Sequence, residues 1–170
     1  RRSATDGRPD WASGHVAERW RPAQEWELAP DDVIDVWRFE LKVHDDDWAI
    51  LNLDEAQTAN RIVVEEKRDR KASARAHLRR ILARYVGTPP QDVQFTYGEH
   101  GKPMLAEHDE PCFNLSHSES KGLTAVSRGA RIGIDLEILV HYGAGDWCSH
   151  PAAAGTILYD HCDRDLRFSD

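Results

Sequence analysis

Asp135 and Glu137 stand in the run Arg131-Ile-Gly-Ile-Asp-Leu-Glu-Ile138. Ile132, Ile134, Leu136 and Ile138 are apolar and alternate with Gly133, Asp135 and Glu137. Period two is the pattern of a half-buried strand. The apolar set faces a core, and both carboxylates leave the opposite face one pleat apart. Two like charges held side by side repel unless a cation lies between them. A hard divalent cation such as Mg²⁺ takes carboxylate, water and phosphate oxygens, and so suits the pair. A solvated strand face has the same pattern, and these two residues alone leave both readings open.

Two further groups could do related chemistry. Gly101-Lys102-Pro103 fixes a lysine on a stiff turn, where its ammonium can hold a phosphate as a point charge. Asn114-Leu115-Ser116-His117-Ser118 offers a hydroxyl and an imidazole beside backbone N–H groups, a possible phosphate cradle. Taken singly, Lys102 also reads as a solvated turn residue and His117 as a structural histidine.

The elements that must position these residues follow from periodicity and punctuation. Asp31-Asp32 opens a strand in which Trp37, Phe39, Leu41 and Val43 alternate with charged residues. Asp54 is the expected N-cap of a short helix beginning at Glu55. A long helix is expected over 66–86, with Ala74, Leu78, Ile81, Leu82 and Tyr85 as its buried stripe. Gly87 and then Pro89-Pro90 end it. Its other faces carry Arg68, Arg70, Lys71, Arg75, Arg79, Arg80 and Arg84. Arg68, Lys71, Arg75 and Arg79 form one stripe, a candidate seat for phosphates or an acidic partner, or else a solvated face. Val93, Phe95 and Tyr97 form a short strand before the turn 98–103, and 113–118 reads as a strand running into a loop. Lys121–Ser127 and Arg131–Ile138 read as a hairpin joined by Arg128-Gly129-Ala130. Helices and strands mix without βαβ alternation, which gives α+β.

The chain has 170 residues, enough for one domain or two small lobes. It is 40% hydrophobic and 31% charged, the composition of a globular protein. A net charge of −8 argues against general nucleic-acid binding, and no apolar run approaches membrane-spanning length. No apolar leader follows Arg1-Arg-Ser-Ala-Thr-Asp, and the first residue is not Met, which suggests a processed end or a fragment. Cys112, Cys148 and Cys162 have no framework spacing and read as free thiols in a reducing, cytoplasmic location.

Taken together and in order, the motifs resemble the 4′-phosphopantetheinyl transferases of the larger, two-lobed (Sfp) type. The resemblance covers roughly residues 31–138. It rests on Ala74-Arg75-x-x-Leu78-Arg79, Tyr97-Gly98-x-x-Gly101-Lys102-Pro103, Phe113-Asn-Leu-Ser-His-Ser118 and Ile132-Gly-Ile-Asp-Leu-Glu137. It implies one lobe of a pseudo-two-fold fold, a small antiparallel sheet packed on a long helix, with an irregular tail. The implied organisation is a lead-in over 1–30, the first lobe over 31–130, the first strand of the second lobe over 131–138, and an unrelated or unstructured tail over 139–170. The implied activity is Mg²⁺-dependent transfer of the phosphopantetheine arm of coenzyme A to a serine of an acyl, peptidyl or aryl carrier protein. By resemblance Asp135 and Glu137 are the metal carboxylates. Arg70, Lys102, Pro103, Ser116 and His117 are coenzyme A contacts, and His117 also belongs with Asp135 and Glu137 as catalytic. Lys71 stands where the family usually has an aromatic or small residue.

One departure matters. The family's second lobe carries Trp-x-x-Lys-Glu-(Ser/Ala)-x-x-Lys, whose Glu is a third metal ligand and proposed base, yet no Lys follows Lys121. The expectation is therefore a first lobe plus one strand, marginal in stability or associating, with coenzyme A or carrier binding alone as the alternative to full transfer. A hydrolase using Ser116 or Ser118 with His117 and Asp135 lacks a Gly-x-Ser-x-Gly elbow. Zinc on His141, Cys148, His150, His161 and Cys162 matches no standard spacing.

Overall fold

A computed structural model describes residues 33–99, 101–139, 152–159 and 165–169. The lead-in over 1–30 and the zinc candidates of the tail lie outside the described residues. The described residues form an α+β lobe, and no helix among them is long and apolar enough to cross a membrane.

The first strand, β1 (Val33–Glu40), begins at Val33 because Ile34, Asp35, Val36 and Trp37 are all buried, so its first half is covered on both faces. Helix α1 (Asp47–Ile50) follows the acidic break, and α2 (Leu53–Asn60) comes next. The cap of α2 is Asn52 rather than Asp54. Asn52 Oδ1 accepts from the Glu55 N–H at 2.9 Å, and Glu55 Oε2 accepts from the Asn52 N–H at 3.0 Å. Asn-x-x-Glu is thus a capping box, which satisfies two helix-end donors where Asp54 would satisfy one.

Helix α3 (Glu65–Val86) holds no interior Gly or Pro and is rich in Ala and Arg, both strong helix formers. Glu65 and Glu66 sit in its first turn, where acidic groups suit the helix dipole. Gly87 ends it in the left-handed region (φ 71°), donating to the Ala83 carbonyl at 2.9 Å. A 3₁₀ turn (Pro90–Asp92) leads to β2 (Phe95–Tyr97), which pairs antiparallel with β3 (Pro103–Leu105).

Strand β4 (Cys112–Ser118) turns at Glu119-Ser120 into β5 (Lys121–Ser127), with Ser118 opposite Lys121. The segment 113–118 is therefore one arm of a hairpin. Strand β5 also pairs antiparallel with β1, and β8 (Asp165–Ser169) adds to β1 in parallel, giving the order β4-β5-β1-β8. With both edges of β5 occupied, the expected hairpin between 121–127 and 131–138 cannot form. Instead β6 (Ile132–Leu139) leaves the sheet and pairs antiparallel with β7 (Ala152–Tyr159). The segment 139–170, which shows no periodicity, thus contributes two described strands.

Period two sorts the sheet's side chains into two cores. Trp37, Phe113 and Val126 pack with Leu78, Ile81 and Leu82 of α3. Ile34, Val36, Leu123 and Ala125 pack with Ile132, Ile134 and Leu136 of β6. The sheet lies between α3 and β6, and the apolar and polar faces of β6 fall as its alternation predicts.

Candidate active site

The stripe Arg68, Lys71, Arg75 and Arg79 divides on folding. Arg79 is fully buried, against the expectation of a phosphate seat. Its Nε donates to Glu55 Oε2 at 2.7 Å, and its Nη1 donates to the carbonyls of Pro90 and Val93 at 3.0 and 2.9 Å. A buried guanidinium needs such partners. Ala72, Ala76 and Ala83 lie seven and three residues before it and four after it, and their small side chains leave it room. That row of alanines was the signal for burial. Glu55, which sequence reasoning overlooked, also pairs with Arg75 Nε at 2.9 Å. Arg75 Nη2 donates to the Tyr97 hydroxyl at 2.7 Å and lies over the Phe95 ring, 5.0 Å from its centre. Arg68 is held by Glu65 and Asp69. Lys71 remains exposed, with no partner among the described residues.

A groove of about 460 Å³ opens between α2, α3, the β2–β3 hairpin and β4. Lys71, Arg75, Lys102 and His117 bring positive or protonatable groups to it, Asp54 and Glu55 bring carboxylates, and Tyr97, Pro103 and Phe113 bring apolar surface. Burial, then Lys71 and Arg70, hold the His117 imidazole below its ordinary value, so it is neutral near pH 7. Arg70 is held by Glu66 on its own helix at 2.5 Å and by Glu119 of the β4–β5 turn at 3.4 Å.

On the other face of the sheet the motifs meet at the edge of β6 away from β7. The turn 98–103 is closed by Gly98 donating to the Lys102 carbonyl at 3.0 Å, with Gly101 at φ 73°, where glycine is favoured. It lets Lys102 Nζ donate to the Ile132 carbonyl at 3.1 Å. Asn114 Oδ1 accepts from the Ile134 N–H at 2.9 Å. Ser116 Oγ accepts from the Leu136 N–H at 3.1 Å and donates to Asp135 Oδ1 at 3.1 Å. Asp135 and Glu137 are both exposed on the polar face of β6. All three motifs therefore converge.

Ser116 and His117 leave β4 on opposite faces, as neighbours on a strand must. Ser116 goes to β6 and His117 to the groove. They do not form a nucleophile–base pair, which removes the geometry a hydrolase would need.

Two curated relatives are similar to this chain. The 4′-phosphopantetheinyl transferase HetI of Nostoc sp. is 38% identical over 127 residues, 71% of this chain and 54% of its own length. The Synechocystis sp. protein slr0495, named for the same transferase activity, is 37% identical over 99 residues, 55% of this chain and 40% of its own length. This chain belongs to the 4′-phosphopantetheinyl transferase family. It spans about half the length of the curated relatives it matches. No protein-family model matches it.

The family implies a divalent cation, and the donor set of β6 fits one. Asp135 and Glu137 are hard, exposed oxygen donors on one strand face. Asp135 Oδ1 also accepts from the Leu136 N–H at 3.0 Å, and its Oδ2 has no partner among the described residues. No cluster of three or more His, Cys, Asp or Glu occurs among those residues. Water and substrate oxygens would complete the shell, as suits Mg²⁺.

Proposed function

We propose that this chain provides the coenzyme A site of a Mg²⁺-dependent transferase of the Sfp type. The transferase moves the 4′-phosphopantetheine arm to a serine of an acyl, peptidyl or aryl carrier protein. The observation that carries this reading is the meeting of Lys102, Asn114, Ser116 and Asp135 at the edge of β6, beside a groove lined by Lys71, Lys102 and His117. Strand β4 is the outer strand of its sheet, and Lys102 and Asn114 line the groove while also bonding β6. A ligand crossing that edge reaches both faces. Its nucleotide phosphate lies against Lys71, Lys102 and His117, with Arg70 nearby and Pro103 stiffening the wall. Its pyrophosphate lies toward Asp135 and Glu137.

In the reaction the carrier serine oxygen attacks the phosphorus that bears the pantetheine arm. The phosphorus–oxygen bond to adenosine 3′,5′-bisphosphate breaks, and the serine proton leaves to a base. Bound Mg²⁺ would neutralise charge developing on the leaving phosphate. Asp135 and Glu137 would hold the cation, Lys102 and His117 would orient the nucleotide, and His117 can take up a proton beside a phosphate. The protein would act in the cytoplasm, with coenzyme A and a carrier protein rather than nucleic acid or membrane as partners, in keeping with a net charge of −8.

A second reading has its own support. Residues 122–170 hold no Lys, so this stretch does not supply the Lys-Glu pair of the family's second-lobe motif. On that reading the chain binds coenzyme A without transferring its arm, because loss of a general base typically costs about 10²–10⁴-fold in rate. Calorimetric titration of coenzyme A with and without Mg²⁺, followed by mass spectrometry of an apo carrier protein, separates the two. Transfer predicts a mass shift on the carrier. Binding alone predicts Mg²⁺-dependent heat without that shift. No binding in either condition would remove both.

A further inference from the structure

Strand β6 has an unusual edge. One side forms a backbone ladder with β7. Ile132, Ile134 and Leu136 turn backbone groups the other way, since alternate residues of a strand face opposite edges. No strand is described there, and side chains take the place of a ladder. Lys102 caps the Ile132 carbonyl at 3.1 Å, Asn114 caps the Ile134 N–H at 2.9 Å, and Ser116 caps the Leu136 N–H at 3.1 Å. Asn114 and Ser116 are two apart on β4, as their targets are on β6, so the two strands lock in one register.

Ser116 does more than cap. A hydroxyl has one proton to give. Here it goes to Asp135 Oδ1, which also accepts from the Leu136 N–H at 3.0 Å. Two donors fix that carboxylate's rotamer and occupy one oxygen, leaving Oδ2. Glu137, one pleat further on, has no such described partner. A serine whose proton is committed to Asp135 cannot also donate it to a phosphate.

We propose that Asn114 and Ser116 are positioning residues that preset Asp135 as the fixed carboxylate of the divalent-cation site, with Glu137 as the adaptable one. This rests on the reading of Asp135 and Glu137 as the cation's ligands. Groups that orient a metal ligand typically contribute about 10–100-fold to metal affinity.

The test uses the full chain with coenzyme A and Mn²⁺, free Mn²⁺ being followed by electron paramagnetic resonance. Amide hydrogen exchange at Ile134 and Leu136 is measured without metal. Ser116→Ala should speed exchange at Leu136 and weaken Mn²⁺ binding about 10–100-fold, and Asn114→Ala should do the same through Ile134. Ser116→Thr keeps the hydroxyl and should bind Mn²⁺ as the parent does, while Asn114→Asp keeps the acceptor and should keep slow exchange at Ile134. If the alanine variants fail to fold, Ser116→Thr decides, and loss of its Mn²⁺ affinity with slow exchange at Leu136 retained would overturn the proposal. Faster exchange with unchanged Mn²⁺ affinity would also overturn it, since the contacts would then be structural only. Asp135→Ala marks the other failure. Undiminished Mn²⁺ binding in that variant would overturn the cation site itself, and with it the proposal.

Discussion

The two faces of the central sheet use charge in opposite ways. On the α3 face, cations gather around the groove, and the deepest of them, Arg79, is neutralised by Glu55 and backbone carbonyls. On the β6 face, apolar residues fill the interior, and the charges that matter are carboxylates held at the rim. The first face suits an anion, the second a cation. Strand β4 serves both, sending Asn114 and Ser116 one way and Phe113 and His117 the other. A ligand with separated phosphates and a bound cation is what such a pair of surfaces can hold together. The contrast also shows that a charged residue's role depends on what satisfies it. Arg79 and Lys71 lie on one sequence stripe, yet one is an internal tie and the other is exposed with no partner among the described residues.

The largest test of that contrast is Arg79→Ala. It leaves Glu55 buried without its closest partner and should destabilise the fold by about 3–5 kcal/mol, read from urea unfolding. A change below about 1 kcal/mol would mean that Glu55 finds water easily and that the groove wall does not depend on the tie. Gly122→Ala should come next. A Cβ there would lie 2.3 Å from the Phe39 ring, and such overpacking typically costs about 1–3 kcal/mol. Phe39→Leu in the same chain should return much of that loss. Lys71→Ala should leave stability within about 0.5 kcal/mol. It should weaken coenzyme A binding about tenfold, the loss of one charge-assisted hydrogen bond of about 1.5 kcal/mol. Unchanged affinity would move the nucleotide phosphate away from α3.

Local rules made the elements legible and the carboxylate face of β6 with them, because alternation and helix punctuation depend on near neighbours. The bounds of α3, its Gly87 stop and the outward set of Asp135 and Glu137 follow from such rules. Pairing was harder. Nothing near residues 121–138 states that β1 takes the β5 edge that β6 would need, since β1 lies some 80 residues earlier. The same holds for Arg79, whose burial depends on Glu55, 24 residues away. Asn114 was legible as part of a motif, but its use as a backbone cap on β6 required the third dimension. The capping box at Asn52 could have been read directly, since Asn-x-x-Glu is a local pattern.

The smallest effect separates two histidines of the α3 face, one in the groove and one outside it. His77 of α3 is stacked on Phe39 with ring centres 4.6 Å apart, and its Nδ1 lies 2.9 Å from the Ser73 carbonyl oxygen. Burial chiefly lowers its pKa from 6.5, with Arg80 and His44 adding to the effect and the Ser73 carbonyl and Asp47 opposing it. His117 is lowered as well, by burial and then by Lys71 and Arg70. For both, the unfolded chain binds the proton more readily than the folded one. Their contribution is intact above pH 6.5 and is lost as pH falls from there through the folded-state values. His77→Phe keeps the stacking, so it should flatten the acid limb of the stability profile. The two rings should part when adenosine 3′,5′-bisphosphate is added and each imidazole is titrated by NMR. A phosphate in the groove favours the charged form of His117, so its midpoint should rise. His77, stacked on Phe39 and not among the residues lining the groove, should keep its midpoint. If both rings moved together, or neither moved, the nucleotide would not be sitting against His117.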